Sequence, residues 1–324
     1  MVQGQGPTNV LKLQKSAALY QNLTTELAPQ LPLFYQPWWL DALLGRHQWL
    51  PLAHENGMIW PVVLKKKGPL CYLTQPPFMM GKAWFSAEKT IQTPDIPFLM
   101  KQFPTSLYWQ ITASSAQAKH LEQAGFTTRP AYTYQIDCQA DPAQLLRNMN
   151  ELSRRNISKA GKSLQCQVSH DADILHALSE RSLRRHKLPM RYTAAQLQNL
   201  LNACGEVQQG AVYTAVDPDG AIHAASFFVW DQRSCYFLLG GLDDRLPQLG
   251  ASRFLLWQGI QMALKRGLHF DFHGGMTPSV GQVYASMGAQ QVAYVRAERY
   301  ASALVKMAVR TAKQLYAPED RLFH

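Results

Sequence analysis

The stretch HFDFHGG, His269 to Gly275, alternates three groups able to move protons or bind metal with two phenylalanines. In an extended strand His269, Asp271 and His273 share one face while Phe270 and Phe272 share the other, so the carboxylate can orient or charge-stabilise either imidazole. H-x-D-x-H also offers ligands to a metal, but the sequence nearby supplies no further cysteine or histidine cluster, and metal is set aside. Asp271 is expected to bond backbone amides, His273 to end the strand facing a cleft, and Gly274 and Gly275 to let backbone or substrate come close. A few residues on, Tyr284 stands in a short helix four positions before Gly288, which ends it.

Two further groupings suit anions. Leu249-Gly250-Ala251-Ser252 opens a helix, so free backbone amides and the positive end of the helix dipole point at whatever lies above. Small residues at a helix start equally serve close packing. Between Arg147 and Arg191 lie ten basic residues against four acidic ones. If NELSRRNISKAGKS is helical, Arg155, Lys159 and Lys162 fall at i, i+4, i+7 and form one cationic stripe. The stripe suits phosphates; as a solvated face it would do no more than keep the chain soluble.

The elements that must position these residues read as an internal repeat. PLAHENGMIWPVVLKKKGPLCYLTQ gives strand, turn, strand, turn, strand, and AVYTAVDPDGAIHAASFFVWDQRSCYFLLGG does the same; both are antiparallel meanders. Later in each half come a helix ended by glycine and a final strand, AKHLEQAGFTTRPAYTYQID and VYASMGAQQVAYVRAERY. The second half adds a helix, LPQLGASRFLLWQGIQMALKRG, with a broad apolar face, closed by Gly267. The polar stretch DCQADPAQ places a boundary between domains 1–138 and 139–324.

Composition bounds the class. With 324 residues, 47% hydrophobic and 17% charged, the chain can build a large core. The longest apolar run, Ala224 to Leu242, is broken by Asp231 and Arg233, so no segment reads as transmembrane. The N-terminus has no apolar leader, and five scattered cysteines without C-x-x-C spacing argue against both a disulfide framework and a zinc site. Together these point to the cytosol. Trp38, Trp39, Trp49, Trp60, Trp84 and Trp109 cluster early and are expected in a core rather than stacked on bases. VKMAVRTAKQLY, which could lie on a membrane surface, is expected to pack back on the first domain. No P-loop, Rossmann fingerprint or Ser-His-Asp order is present.

A meander, a glycine-started helix, a strand, then a short helix with Tyr-x-x-x-Gly and a last strand resembles the acyl-CoA N-acyltransferase (GNAT) superfamily. With LFYQPWWLDALLG, SRRNISKAGKS and GLHFDFHGG in this order, the duplicated arrangement is most similar to the Fem-type aminoacyltransferases. The resemblance implies an α/β protein of two tandem GNAT-like domains with mixed, largely antiparallel sheets. It also implies transfer of an acyl or aminoacyl group from acyl-CoA or aminoacyl-tRNA to an amine of a small molecule or peptide, with acyl-CoA as co-substrate and no tightly bound cofactor.

The resemblance carries over residue by residue. Tyr284 would protonate the departing thiolate; Leu121 holds the equivalent place before Gly125, which makes the first copy catalytically silent. An acceptor amine must lose a proton to attack, and His273, with Asp271 beside it, is the candidate base. The family's pyrophosphate loop, Arg/Gln-x-x-Gly-x-Gly/Ala, is met only at Gly250, with Pro247 and Ser252 at its outer positions; Arg245, Gln248, Leu249, Ala251, Ser252 and Arg253 complete the expected donor site. Fem-type proteins carry Phe-Lys-x-x-Phe-Gly where this chain has Val283-Tyr284-Ala285-Ser286-Met287-Gly288, which shifts weight toward a thioester donor. Arg154, Arg155, Lys159, Lys187 and Arg191 would steer an anionic donor or acceptor, tRNA included. A second reading stays open: a non-catalytic module on a degenerate transferase fold that holds RNA or an anionic surface.

Overall fold

A computed structural model describes residues 7–28, 30–54, 57–67, 70–81, 83–86, 96, 100, 103, 106–185, 190 and 192–316. Two compact units emerge, Met1–Ala131 with Ala293–Arg321, and Tyr132–Val292 with Leu322–His324.

In the first unit, helices α1 (Pro7–Glu26) and α2 (Pro37–Leu44) precede strands β1 (Leu50–Ala53), β2 (Met58–Lys67) and β3 (Leu70–Thr74). These form the expected antiparallel meander, and the two-residue β4 (Phe85–Ser86) pairs with β2. β5 (Ser106–Ser114) runs parallel to β3, and Ser114 starts α3 (Ser115–Gln123) with a reciprocal capping box to Gln117. Gly125, at φ +84°, turns the chain into β6 (Thr127–Ile136). The core gathers Trp60, Trp84, Trp109, Ile111, Leu121 and Phe126. Trp39 and Trp49 are buried as well, so these five early tryptophans are packing residues and offer no stacking surface.

The second unit begins with α4 (Pro142–Asn148), α5 (Glu151–Ser163), β7 (Gln165–Ser169), α6 (Ala172–Arg185) and α7 (Ala194–Glu206). The second meander follows, β8 (Gly210–Val216), β9 (Ile222–Trp230) and β10 (Ser234–Leu242), then α8 (Ala251–Lys265), β11 (His269–Asp271) and α9 (Pro278–Ser286). Strand order within the unit is β6-β11-β10-β9-β8-β7. β9 is buried along nearly its whole length because helices cover both sheet faces. A Cβ on Gly259 of α8 would touch the Phe228 ring, and a Cβ on Gly241, which pairs with Ala225, would strike Leu178 of α6. Phe228 and Ala225 are an odd number of residues apart on one strand, so they point to opposite faces.

The last strand, β12 (Gln290–Tyr300), pairs antiparallel with β5 from Tyr294↔Ser114 to Tyr300↔Tyr108, and α10 (Ala303–Tyr316) follows it. The end of β6 instead pairs with β11, Phe270↔Ile136 and Asp271↔Gln135. The unit boundary therefore differs from the cut at 138/139 read from the polar stretch. Residues 132–138 group with the second unit and residues 293–316 with the first, because strand pairing and not chain order decides membership. α10 thus joins the first unit, as expected of it. The helix present between meander and next strand in the second half has its counterpart region, 87–105, largely outside the described residues.

Candidate functional site

β10 and β11 are parallel for three residue pairs only, Ser234↔His269, Cys235↔Phe270 and Tyr236↔Asp271. β11 ends there, whereas β10 continues to Leu242, with a bulge between Phe237 and Leu239 in its pairing to β9. Beyond Tyr236, β10 has no strand on its β11 side among the described residues. The candidate catalytic residues sit where the two strands part.

Asp271 is 7% exposed and fully bonded. Its Oδ1 accepts from the Thr133 hydroxyl at 2.7 Å and from the His273 N–H at 2.7 Å; its Oδ2 accepts from the Gln135 amide at 2.8 Å. Thr133 Oγ1 in turn accepts the Gly274 N–H at 3.1 Å. The carboxylate therefore bonds one backbone amide, that of His273, where several were expected, and through two side chains ties the turn after β11 to β6. The sequence by itself assigns Thr133 and Gln135 no role. As i, i+2 neighbours on one face of β6 they were legible as a polar pair, but their purpose appears only when the register sets Gln135 opposite Asp271. Asp271→Asn should lower stability by about 1–3 kcal/mol, since one carboxamide oxygen cannot serve three donors, and a fall in Tm with unchanged secondary structure would show it.

His273 departs from the expected geometry. It does not continue the strand face of His269 and Asp271, because its φ is +54° and the strand stops at Asp271. A left-handed histidine is held there by the bond from its own N–H to Asp271. The ring is 9% exposed and lies edge-on to Tyr236, centroids 5.6 Å apart. Gly275, at φ +112°, lets the chain pass Tyr134, whose Cδ2 would be 2.6 Å from a Cβ at that position.

Tyr284 lies in the core of the second unit with Phe270, Phe272, Trp257 and Met287. Its ring stacks on Phe272 at 4.3 Å and meets Tyr134 edge-on at 6.0 Å. Burial raises the phenol pKa well above its ordinary value, and the Asp271 charge adds to the rise, so the hydroxyl keeps its proton at neutral pH. α9 is fastened by a Ser286–Ser153 hydroxyl contact of 2.8 Å and by the Asn150 N–H on the Ser286 carbonyl. Gly288, φ +86°, ends the helical turn. Leu121, at the equivalent place in the first unit, is wholly buried.

The expected anion site is only partly assembled. α8 begins at Gly250, φ +86°, where a Cβ would lie 2.6 Å from the Asn156 carbonyl oxygen. This glycine therefore serves the close approach of α5, the packing alternative raised above. Arg245 is committed to Asp243 through Nε–Oδ1 (2.9 Å) and Nη2–Oδ2 (2.6 Å). The Arg245 side chain holds the Asp243 carboxyl down at about 2, with the Arg245 N–H and Arg181 contributing. Gln248 bonds back to the Leu246 carbonyl, and Leu249, Ala251 and Ser252 flank Gly250 in the loop and first turn. Arg253 differs from Arg245: its Nε is buried without a hydrogen-bond partner among the described residues, and burial lowers its pKa.

α5 confirms the stripe as a helical face. Ser153, Ile157 and Ala160 are buried on one side, and Arg155, Lys159 and Lys162 are exposed on the other. Lys159 Nζ donates to the Gln248 carbonyl at 3.3 Å, which joins the stripe to the α8 loop. Arg154 instead caps α4, donating to the carbonyls of Arg147 and Met149. Lys187 and Arg191 lie outside the described residues. No helix among the described residues is long and apolar enough to cross a membrane.

Residues 138–278 match the family model described as acetyltransferase (GNAT) domain. No curated protein matches the sequence. Among solved structures, FemX is similar with a TM-score of 0.64 at 10% identity, over 90% of this chain and 96% of that one. L-PGS from Bacillus licheniformis gives 0.55 at 14% identity, over 90% and 95%. A tandem GNAT protein from the clavulanic acid biosynthesis pathway gives 0.53 at 9% identity, over 89% and 96%. At these identities the likeness is one of fold. Residues 138–278 thus match the GNAT acetyltransferase domain model, and the fold of the chain is similar to those of FemX and a tandem GNAT protein.

Proposed function

We propose that the protein is an N-acyltransferase that moves an acyl or aminoacyl group from a thioester or aminoacyl-tRNA donor to an amine. The observation that carries this reading is the parting of β10 and β11 after three pairs, with Tyr284 and His273 gathered around the end of the shorter strand. In this reading Tyr284, whose phenol is protonated and neutral throughout the neutral pH range, donates its proton to the leaving group. His273 takes the amine proton, directly or through water, and Asp271 fixes the turn that presents it.

Donor phosphates would rest on the amides opening α8 and on Arg253, whose buried Nε suits an anion. Arg245, neutralised by Asp243, contributes little there. Arg155 and Lys159 would steer the anionic partner. This anion site sits with acyl-CoA as co-substrate and leaves aminoacyl-tRNA open.

The second reading, a non-catalytic module for RNA or an anionic surface, is favoured by the exposed α5 stripe and by the incomplete phosphate loop. Thermal shift separates the two. A Tm increase with acetyl-CoA or longer acyl-CoAs is expected, since only a ligand preferring the native state stabilises it. An increase with RNA and none with any acyl-CoA would replace the first reading by the second.

A further inference from the structure

Of the three H-x-D-x-H groups, His269 alone joins a cluster of possible metal ligands among the described residues, and the tertiary structure brings two further ligands to it from just past the end of β6. His269 opens β11 and stands opposite Asp137, the residue after Ile136, because Phe270 pairs with Ile136. The chain then turns, and Cys138, 131 residues from His269 in sequence, gives its N–H to His269 Nδ1 at 3.2 Å. Asp137 Oδ2 lies 3.8 Å from the same nitrogen. Asp137 Oδ1 accepts the Gln139 N–H at 2.8 Å, which leaves Oδ2 as the oxygen turned to the histidine. A carboxylate oxygen, the thiol sulfur and one ring nitrogen all lie within 4.8 Å of one another.

We propose that Asp137, Cys138 and His269 form a binding site for a divalent transition-metal ion of the zinc class. A tetrahedral ion with bonds of about 2.0–2.3 Å draws its ligand atoms to about 3.3–3.6 Å apart, so small side-chain adjustments close the set. The mixed N, O and S donors are those zinc and cobalt(II) accept, and unsuited to magnesium or calcium. His269 and Asp137 are 42% and 67% exposed at the side chain, so solvent reaches the fourth position. On binding, the Cys138 S–H gives its proton to solvent, the thiolate takes the metal, and the metal replaces the Cys138 N–H at His269 Nδ1. Asp271 and His269 sit on the same strand face but serve different ends of β11: Asp271 is occupied by three donors at its close, and His269 holds the metal at its opening. The site owes nothing to the transferase reading.

Cobalt(II) titration of the full chain tests it. One equivalent is expected to bind with a thiolate-to-cobalt charge-transfer band in the near ultraviolet, and zinc(II) should displace it. Cys138→Ser should abolish the band, and His269→Ala and Asp137→Asn should each weaken cobalt binding about tenfold or more. All three positions are at least partly exposed, so an unchanged far-ultraviolet spectrum is expected of each variant. Absence of the band, its survival in Cys138→Ser, or undiminished affinity in both other variants would overturn the proposal.

Discussion

Replacing Tyr284 by phenylalanine is expected to lower kcat by about two to four orders of magnitude while leaving donor affinity nearly unchanged. The substitution removes one hydroxyl and keeps the ring, whose 4.3 Å stack on Phe272 preserves the packing around it. It therefore isolates the proposed acid from the scaffold. The sign of the pH dependence follows from the direction of the shift. The phenol is the useful form when protonated, and its pKa is raised, first by burial and then by Asp271. It keeps its proton throughout the neutral range and beyond its ordinary pKa of about 10. Below that pH the variant should show a kcat profile lowered in height and unaltered in shape. Steady-state kinetics with a saturating acyl-CoA and an amine panel give the measurement, and turnover within about threefold of the parent would remove Tyr284 as the acid.

Gly241→Ala should be the most damaging single methyl in the second unit. Its Cβ would fall 2.1 Å from the Leu178 carbonyl oxygen and 2.5 Å from the Ser179 nitrogen, both rigid backbone of α6. Neither can rotate away, so either β10 or α6 must move. α6 is additionally held to this strand by the Leu242 N–H on Ser182 Oγ at 3.0 Å, which would be lost with the movement. A loss of about 3 kcal/mol or more is expected, a Tm lower by about 6–12 °C. Calorimetry or a dye-based melt reads it directly. A melt within about 2 °C of the parent would mean that β10 and α6 do not pack as described. Gly205, where a Cβ meets nothing within 4 Å, provides the matched control for glycine replacement in the same unit.

Both expectations rest on geometry of unequal visibility. The two meanders could be read from turn residues and alternation, and they occur as β1–β3 and β8–β10. α8 was marked by its apolar residues and bounded by Gly250 and Gly267, and it runs from Ala251 to Lys265. The α5 stripe followed from helical spacing, and Arg155, Lys159 and Lys162 are exposed together. These features depend on interactions between residues close in sequence, whose period is set by the local backbone.

What the amino-acid sequence determined alone was the order of elements and the kinds of side chain each would present: a buried Asp271, a helix-borne Tyr284 before Gly288, a small-residue start to α8. Tertiary structure decided which of them meet. It paired β12 with β5 and the end of β6 with β11, supplied Thr133 and Gln135 to Asp271, bound Arg245 to Asp243, and turned His273 off its strand. Pairing register and side-chain partners over more than a hundred residues depend on competition among many possible contacts, and no local period encodes the winner.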